Sequence, residues 1–494
     1  MLSSAWRERD NARSRQDVSL ASKYSCYLLL PSINVADRSY RIRRVKCDEG
    51  KPDCDRCVSG GWKCNGYLPW VAVLPGPESR QAPKQVISES ESRALDFFRQ
   101  VVAPAVGGYV RSEFWTLFVL QASPQEPAVR HAVAAVSALY EDFDGATVRN
   151  AFALQQYNRS INRLRQTSDP AIVLIVCILM ICIEFLQGNV EAALAHCRHG
   201  IAILNGPGIS RSARDNLLSL FCRLCIVPSL YGSPQLAIPL VDRTDLHHLR
   251  RHASVDQLQN SFDLLSSPCT ALIHRARPFY SLVDDAAKAD ILATQHQLLQ
   301  DLDQWHVNLQ AFRKGRTLTR KDTITCYIME MRYVLSVVNV GNALETDEFS
   351  WDRHLPWFQR MAELATLVLA ESVGLGPPPK FLFEMGFLSL LCFVVVKCRC
   401  LCTRVATLYA MRALAVGRET VWDFDVMYAV CQQVIKREHN VHVEAFPLRP
   451  AASADTAAKA AMAMRGARMQ ASSDGRQAKR VSFSVDGPWE WTAL

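Results

Sequence analysis

Beyond residue 91 the polar and apolar positions of this chain recur with the helical period and almost nowhere with the period of two that a strand needs. Val129, Ala132, Val133, Val136, Leu139 and Tyr140 fall on one face of an amphipathic helix. Just before them Ser123 and Glu126 stand as an S-x-x-E capping box, with Pro124 at the first helical position. The same pattern predicts helices near 93–103, 146–166, 170–187, 189–204, 211–227, 280–313, 321–344, 355–373, 381–414 and 423–438. Gly206-Pro207-Gly208, Pro228, Pro234 and Pro377-Pro378-Pro379 punctuate them, and neither a strand-length alternation nor a regular repeat is present.

Two runs are more apolar than the rest. Residues 172–186 carry Glu184, and residues 381–396 are broken by Glu384 and Gly386. Both fall short of the roughly 20 residues that cross a bilayer, so buried core helices are predicted. At 494 residues the chain exceeds the size at which one core stops growing, which predicts one small and one large unit. Hydrophobic content of 49% and charged content of 21% fit a globular protein. Most cysteines outside the N-terminal region, such as Cys177, Cys182, Cys392 and Cys431, sit in apolar helical segments, the usage of a reducing compartment. Residues 1–17 are polar and mixed in charge, without the apolar stretch of an export signal.

Charge changes the picture at the N-terminus. Of the formal net charge of +8, residues 1–67 contribute +5, from 13 Lys or Arg against 8 Asp or Glu. Within them residues 41–67 read RIRRVKCDEGKPDCDRCVSGGWKCNGY. Cys47, Cys54, Cys57 and Cys64 follow C-x6-C-x2-C-x6-C, behind Arg41, Arg43, Arg44 and Lys46. So polar a segment cannot build an apolar core, and a metal held by thiolates is the physical way to fold it. The bland alternatives are unligated thiols or a disulfide pair. The adjoining basic cluster favours a phosphate backbone with salt-sensitive affinity.

These residues resemble the latter two-thirds of the fungal Zn2Cys6 binuclear zinc-cluster DNA-binding domain. In that likeness Cys47, Cys54, Cys57 and Cys64 match the third to sixth cysteines, and Asp48, Pro52 and Gly66-Tyr67 also fit. The front departs from it: positions 37 and 40, where the first two cysteines belong, hold Asp37 and Tyr40. Upstream, Lys23-Tyr24-Ser25-Cys26-Tyr27 resembles the lead-in to the first cysteine, which makes Cys26 a displaced ligand candidate and residues 28–40 an interruption. The family holds two Zn2+ ions with six thiolates. Four thiolates suffice for one, so this chain is expected to hold two, one or none.

The resemblance implies zinc-dependent, sequence-specific binding to double-stranded DNA in the nucleus and control of RNA polymerase II genes through the transcription machinery. Arg43 and Arg44 are the expected base readers, since a guanidinium pairs bidentately with guanine O6 and N7. Arg41 and Lys46 are expected on phosphates, and Asp48 and Asp55 as helix caps. The alternative is a helical interaction protein whose degenerate zinc cluster no longer binds DNA. A homodimer stays open, without a coiled coil after the linker to support it.

The expected organisation is mainly α. It comprises a disordered basic N-terminus at 1–22, the zinc-cluster domain at 23–67, a proline-bearing linker at 68–90, an all-helical regulatory domain at 91–445, and a largely disordered tail at 446–494. The helical region resembles the fungal-specific transcription factor domain. The likeness rests on Ala94-Leu95-Asp96-Phe97-Phe98, Ser112-Glu113-Phe114-Trp115, the stretch from Glu126 to Val133, Phe383-Glu384-Met385-Gly386 and Arg480-Val481-Ser482-Phe483. Motifs for a zinc protease, a P-loop, a nucleophile elbow or a dinucleotide site are missing, so no enzyme is expected. His196-Cys197-x-His199, Cys222-x2-Cys225 and Cys398-x-Cys400-x-Cys402 read as core or surface residues rather than as metal or redox sites, because helical spacing spreads them around an axis.

Overall fold

The computed structural model describes residues 87–443 apart from 110–112, 144–149, 227–237, 242–253, 277–284, 376–377, 415 and 442. All of them belong to one unit of the chain, Ala82–Leu494. The architecture is helical, as the periodicity predicts.

The first group of helices is α1 (Glu89–Phe97), α2 (Pro127–Asp142), α3 (Ala151–Leu164), α4 (Pro170–Gln187), α5 (Val190–Leu204) and α6 (Arg211–Leu224). Between α1 and α2 the chain passes through two π-helical turns, Phe98–Val102 and Phe114–Phe118. Helix α2 packs on α3 and α4, and α4 packs on α5. Helix α4 shows how strongly local signals act. Asp169 accepts a hydrogen bond from Ala171 N, Pro170 holds the first turn, and Gly188 ends the helix at φ 72°. It is long and apolar enough to cross a membrane by composition, yet 83% of it is buried inside this domain, which makes it a core helix.

The second group comprises α7 (Val255–Ala276), α8 (Asp285–Lys314), α9 (Arg320–Gly341), α10 (Leu355–Ser372), α11 (Phe387–Lys397), α12 (Leu401–Leu414) and α13 (Phe424–His439). These helices share one apolar core that includes Phe262, Trp305, Tyr333, Phe358, Leu391, Met411 and Cys431. Helix α6 packs on α7 and joins the two groups.

Four expectations need correction. Ser123 does not cap α2: it ends the preceding short helix Val119–Ala122, and its hydroxyl donates to Leu120 O at 3.4 Å. Helix α2 instead starts at Pro127 behind Glu126, whose side chain makes no cap bond. The helix expected over 381–414 begins only at Phe387, because β1 (Phe381–Leu382) takes its first residues, and it breaks at 398–400. Helix α7 carries no predicted counterpart, because Pro268 and a run of Ser and Thr disguise it. Its hydroxyls bond back to helix carbonyls, Ser266 to Asp263 O at 2.6 Å and Thr270 to Ser266 O at 2.9 Å, which keeps them compatible with burial. A small sheet also exists: β1 pairs parallel with β2 (Arg418–Glu419), which pairs antiparallel with β3 (Trp422–Asp423). Two-residue strands are too short to leave an alternating pattern.

Candidate nucleic-acid interface and the junction of the helical domain

The sequence-predicted site residues lie outside the described residues: Cys26, Cys47, Cys54, Cys57 and Cys64 for zinc, and Arg41, Arg43, Arg44 and Lys46 for DNA. The expected disordered ends and the linker up to residue 86 lie outside them too. The rival clusters are described. His196 is half-buried, Cys197 buried and His199 exposed, so they do not converge. His196 Nε2 lies 3.5 Å from the Tyr157 hydroxyl, which donates to Glu184 Oε1 at 2.7 Å. Cys222 and Cys225 are buried thiols on and just after α6, and burial pushes both pKa values up, away from the thiolate that redox chemistry needs. Cys398 is buried, with its thiol raised to about 12, while Cys400 and Cys402 are half-buried. Among the described residues no three His, Cys, Asp or Glu side chains come together as a metal site.

The motif Phe383-Glu384-Met385-Gly386 does acquire a structural role, because each of three residues engages a different partner. Phe383 is buried between Trp115 and Phe185, with ring centroids 4.9 Å and 5.7 Å away, and its N–H donates to Val106 O at 2.9 Å. Glu384 accepts a bidentate pair from Arg223 of α6, Nε at 2.9 Å and Nη2 at 3.1 Å. Arg223 also donates to Asp263 of α7, whose other oxygen accepts from Arg332 of α9 at 2.8 Å. All four side chains are buried, so the chain Glu384–Arg223–Asp263–Arg332 is a neutral ionic relay in the domain interior. Its members compensate each other's desolvation, which an unpaired ion there could not bear.

Gly386 precedes α11, and the orphan N–H groups of that helix are met from elsewhere in the chain. Phe387 N donates to Glu419 Oε1 at 3.2 Å and Leu388 N to Oε2 at 2.7 Å. Burial raises the Glu419 pKa to about 7, against backbone N–H groups that lower it. Residues 381–386 therefore tie the first helical group to the second. They carry contacts to the short helix Ala103–Val106, to α6 and to the β2 hairpin.

With this architecture in place, the chain's likeness to known proteins is specific. The helical domain and the basic, cysteine-rich segment before it each match a domain family of fungal transcription regulators. Residues 41–69 match the fungal Zn(2)-Cys(6) binuclear cluster domain, and residues 93–315 match the fungal specific transcription factor domain. One relative is the aspercryptin biosynthesis cluster-specific transcription regulator atnN of Emericella nidulans, 27% identical over 404 residues, covering 67% of this chain and 63% of that protein. Another is the transcription regulator lscL of Purpureocillium lilacinum, 27% identical over 199 residues, covering 33% of this chain and 47% of that protein. The chain thus spans less than two-thirds of the length of these relatives. No solved structure matches it.

Proposed function

We propose that this protein is a zinc-dependent, sequence-specific DNA-binding regulator of RNA polymerase II genes, acting in the nucleus on a biosynthetic gene cluster, and not an enzyme. The observation that carries the reading is the C-x6-C-x2-C-x6-C spacing behind Arg41, Arg43, Arg44 and Lys46, inside the matched segment 41–69. The cluster-specific role follows the name of the Emericella nidulans relative. We take the zinc domain as residues 23–67, the linker as 68–90 and the regulatory domain as 91–445.

The donor set fits zinc. Cys47, Cys54, Cys57 and Cys64 supply the four thiolates that one ion requires, and Cys26 is the further ligand for a second. Zinc, when bound, folds a segment too polar to fold by burial. Arg43 and Arg44 then read guanine edges, while Arg41 and Lys46 hold phosphates and set register. A second reading is favoured by Tyr40 and Asp37 at the expected ligand positions: a helical interaction protein without DNA binding.

Zinc content by native mass spectrometry on the full chain, together with DNA selection at two salt concentrations, separates the two. Bound zinc with a selected sequence supports the first reading. No metal and only nonspecific binding supports the second. In the first case Arg43→Ala or Arg44→Ala costs about 1–3 kcal/mol of discrimination at one base pair, whereas Lys46→Ala weakens all sequences alike and lowers the salt slope by about 1.

A further inference from the structure

Helix α8 carries two apolar stripes. Ile291, Leu298, Leu302, Trp305, Leu309 and Phe312 recur at helical spacing and lie buried in the core of the second group of helices. A second set, Ala289, Leu292, Leu299 and Val307, falls roughly 135° further around the axis at about 100° per residue. Leu292 is 46% exposed and Val307 59%, Ala289 is exposed, and Leu299 is half-buried at the edge of the core. Exposed apolar residues scattered singly are ordinary on a surface. These four share about 80° of arc on one helix, and the exposed His296 and Asp303 stand on the same face.

This face is its own complement when a second copy runs antiparallel, with the two-fold axis at the helix midpoint between Leu299 and Gln300. Leu292 then faces the partner's Val307, Leu299 lies beside its own copy at the axis, and His296 faces the partner's Asp303. An isologous pairing makes every such contact twice. The Tyr333 hydroxyl donates to Asp303 Oδ1 at 2.9 Å, which holds in place the carboxylate that the imidazole of the second copy meets. A parallel pairing in register would instead set histidine on histidine and aspartate on aspartate, like charge on like. Helix α8 has 30 residues, a length of about 45 Å. A third of its circumference, counted for both copies, amounts to roughly 1,300 Å², above the roughly 1,000 Å² that a specific contact needs and at the weak end of such interfaces.

We infer that two copies of this protein associate through an antiparallel pairing of α8 into a reversible dimer. The inference rests on the helical domain and does not depend on the DNA-binding reading. The test is sedimentation equilibrium of the full chain up to about 100 µM, where a monomer–dimer equilibrium with a dissociation constant of about 10 µM is expected. L292D/V307D should weaken it at least about tenfold, because four carboxylates then replace the apolar contacts of the pair. L154D, at a leucine of α3 that is 55% exposed, should leave it unchanged. Position 296 reads the register: H296K keeps the pairing with the partner's Asp303, whereas H296E sets like charges opposite and should raise the dissociation constant about fivefold. All four positions are exposed, and an unchanged melting temperature of the monomer shows that each variant folds. A chain that stays monomeric up to about 100 µM overturns the inference and leaves the face to another partner or to solvent. So does a dimer that survives L292D/V307D or is lost in L154D, an equal effect of H296K and H296E, or growth beyond two copies, since a two-fold contact closes on itself.

Discussion

A Cβ built on Gly386 would lie 2.8 Å from Glu419 Cδ and Oε1, so no side chain fits between the start of α11 and the carboxylate that caps it. The neighbour cannot retreat without leaving Phe387 and Leu388 N–H unmet. Gly386→Ala is therefore expected to destabilise the domain by about 1–3 kcal/mol in urea unfolding. Gly208→Ala is the matched control, since its nearest neighbour is Pro170 Cγ at 3.9 Å, and should stay within about 0.5 kcal/mol. In the sequence, Phe383 to Gly386 is legible as a family phrase only. Its reasons are contacts with Trp115, Arg223 and Glu419, as remote in sequence as they are close in space, and no local pattern encodes them.

At the scale of elements, caps decide where helices start, and a cap motif without tertiary support misleads. Ser123-x-x-Glu126 has the right letters, but the residues before it already form a helix that Ser123 terminates. The working capping box is Ser88 with Glu91: Glu91 N donates to Ser88 Oγ at 3.3 Å, and Ser88 N to Glu91 Oε2 at 3.2 Å. Ser88→Ala should cost about 1 kcal/mol and Ser123→Ala less than about half of that, measured by chemical denaturation. The break between α11 and α12 has a tertiary cause. The fully buried Arg404 donates to Val396 O at 3.3 Å, placing a cation on the last carbonyls of α11, and pairs with Glu438 of α13. Helix periodicity runs on through 398–400, so the sequence shows one helix where the buried ion requires two. Helix α4 was fully legible, because Asp169, Pro170 and Gly188 are local signals that packing reinforces.

For the whole molecule, buried and half-buried histidines contribute to the response to acid. Burial lowers the pKa of His131, His196, His306 and His354 below the ordinary 6.5. The unfolded chain then binds more protons in that window, so stability is present above about pH 6.5 and is lost as pH falls toward the folded values. Each histidine contributes up to about 1.4 kcal/mol per pH unit there. Glu419 has the opposite sign, since a carboxyl raised to about 7 favours the folded state as pH falls from there toward 4.5. Glu419→Gln removes the group of opposite sign, so between pH 7.5 and 5.5 the melting temperature of that variant is expected to fall relative to that of the unaltered chain in differential scanning calorimetry. The helical class and most helix positions were legible from periodicity, and the zinc-cluster segment from cysteine spacing alone.

The relay from Glu384 through Arg223 and Asp263 to Arg332 bears on how this protein can be divided. The segment matched to the regulatory family ends at residue 315, between Asp263 and Arg332 and well before Glu384. A polypeptide cut there would keep Arg223 and Asp263 while discarding the outer ion of each pair, and would also lose the half of the apolar core that α9 to α13 supply. Residues 87–315 expressed alone should therefore show no cooperative melting transition, whereas residues 87–443 should retain one. The matched segment ends at residue 315, and the unit that folds extends more than a hundred residues past it.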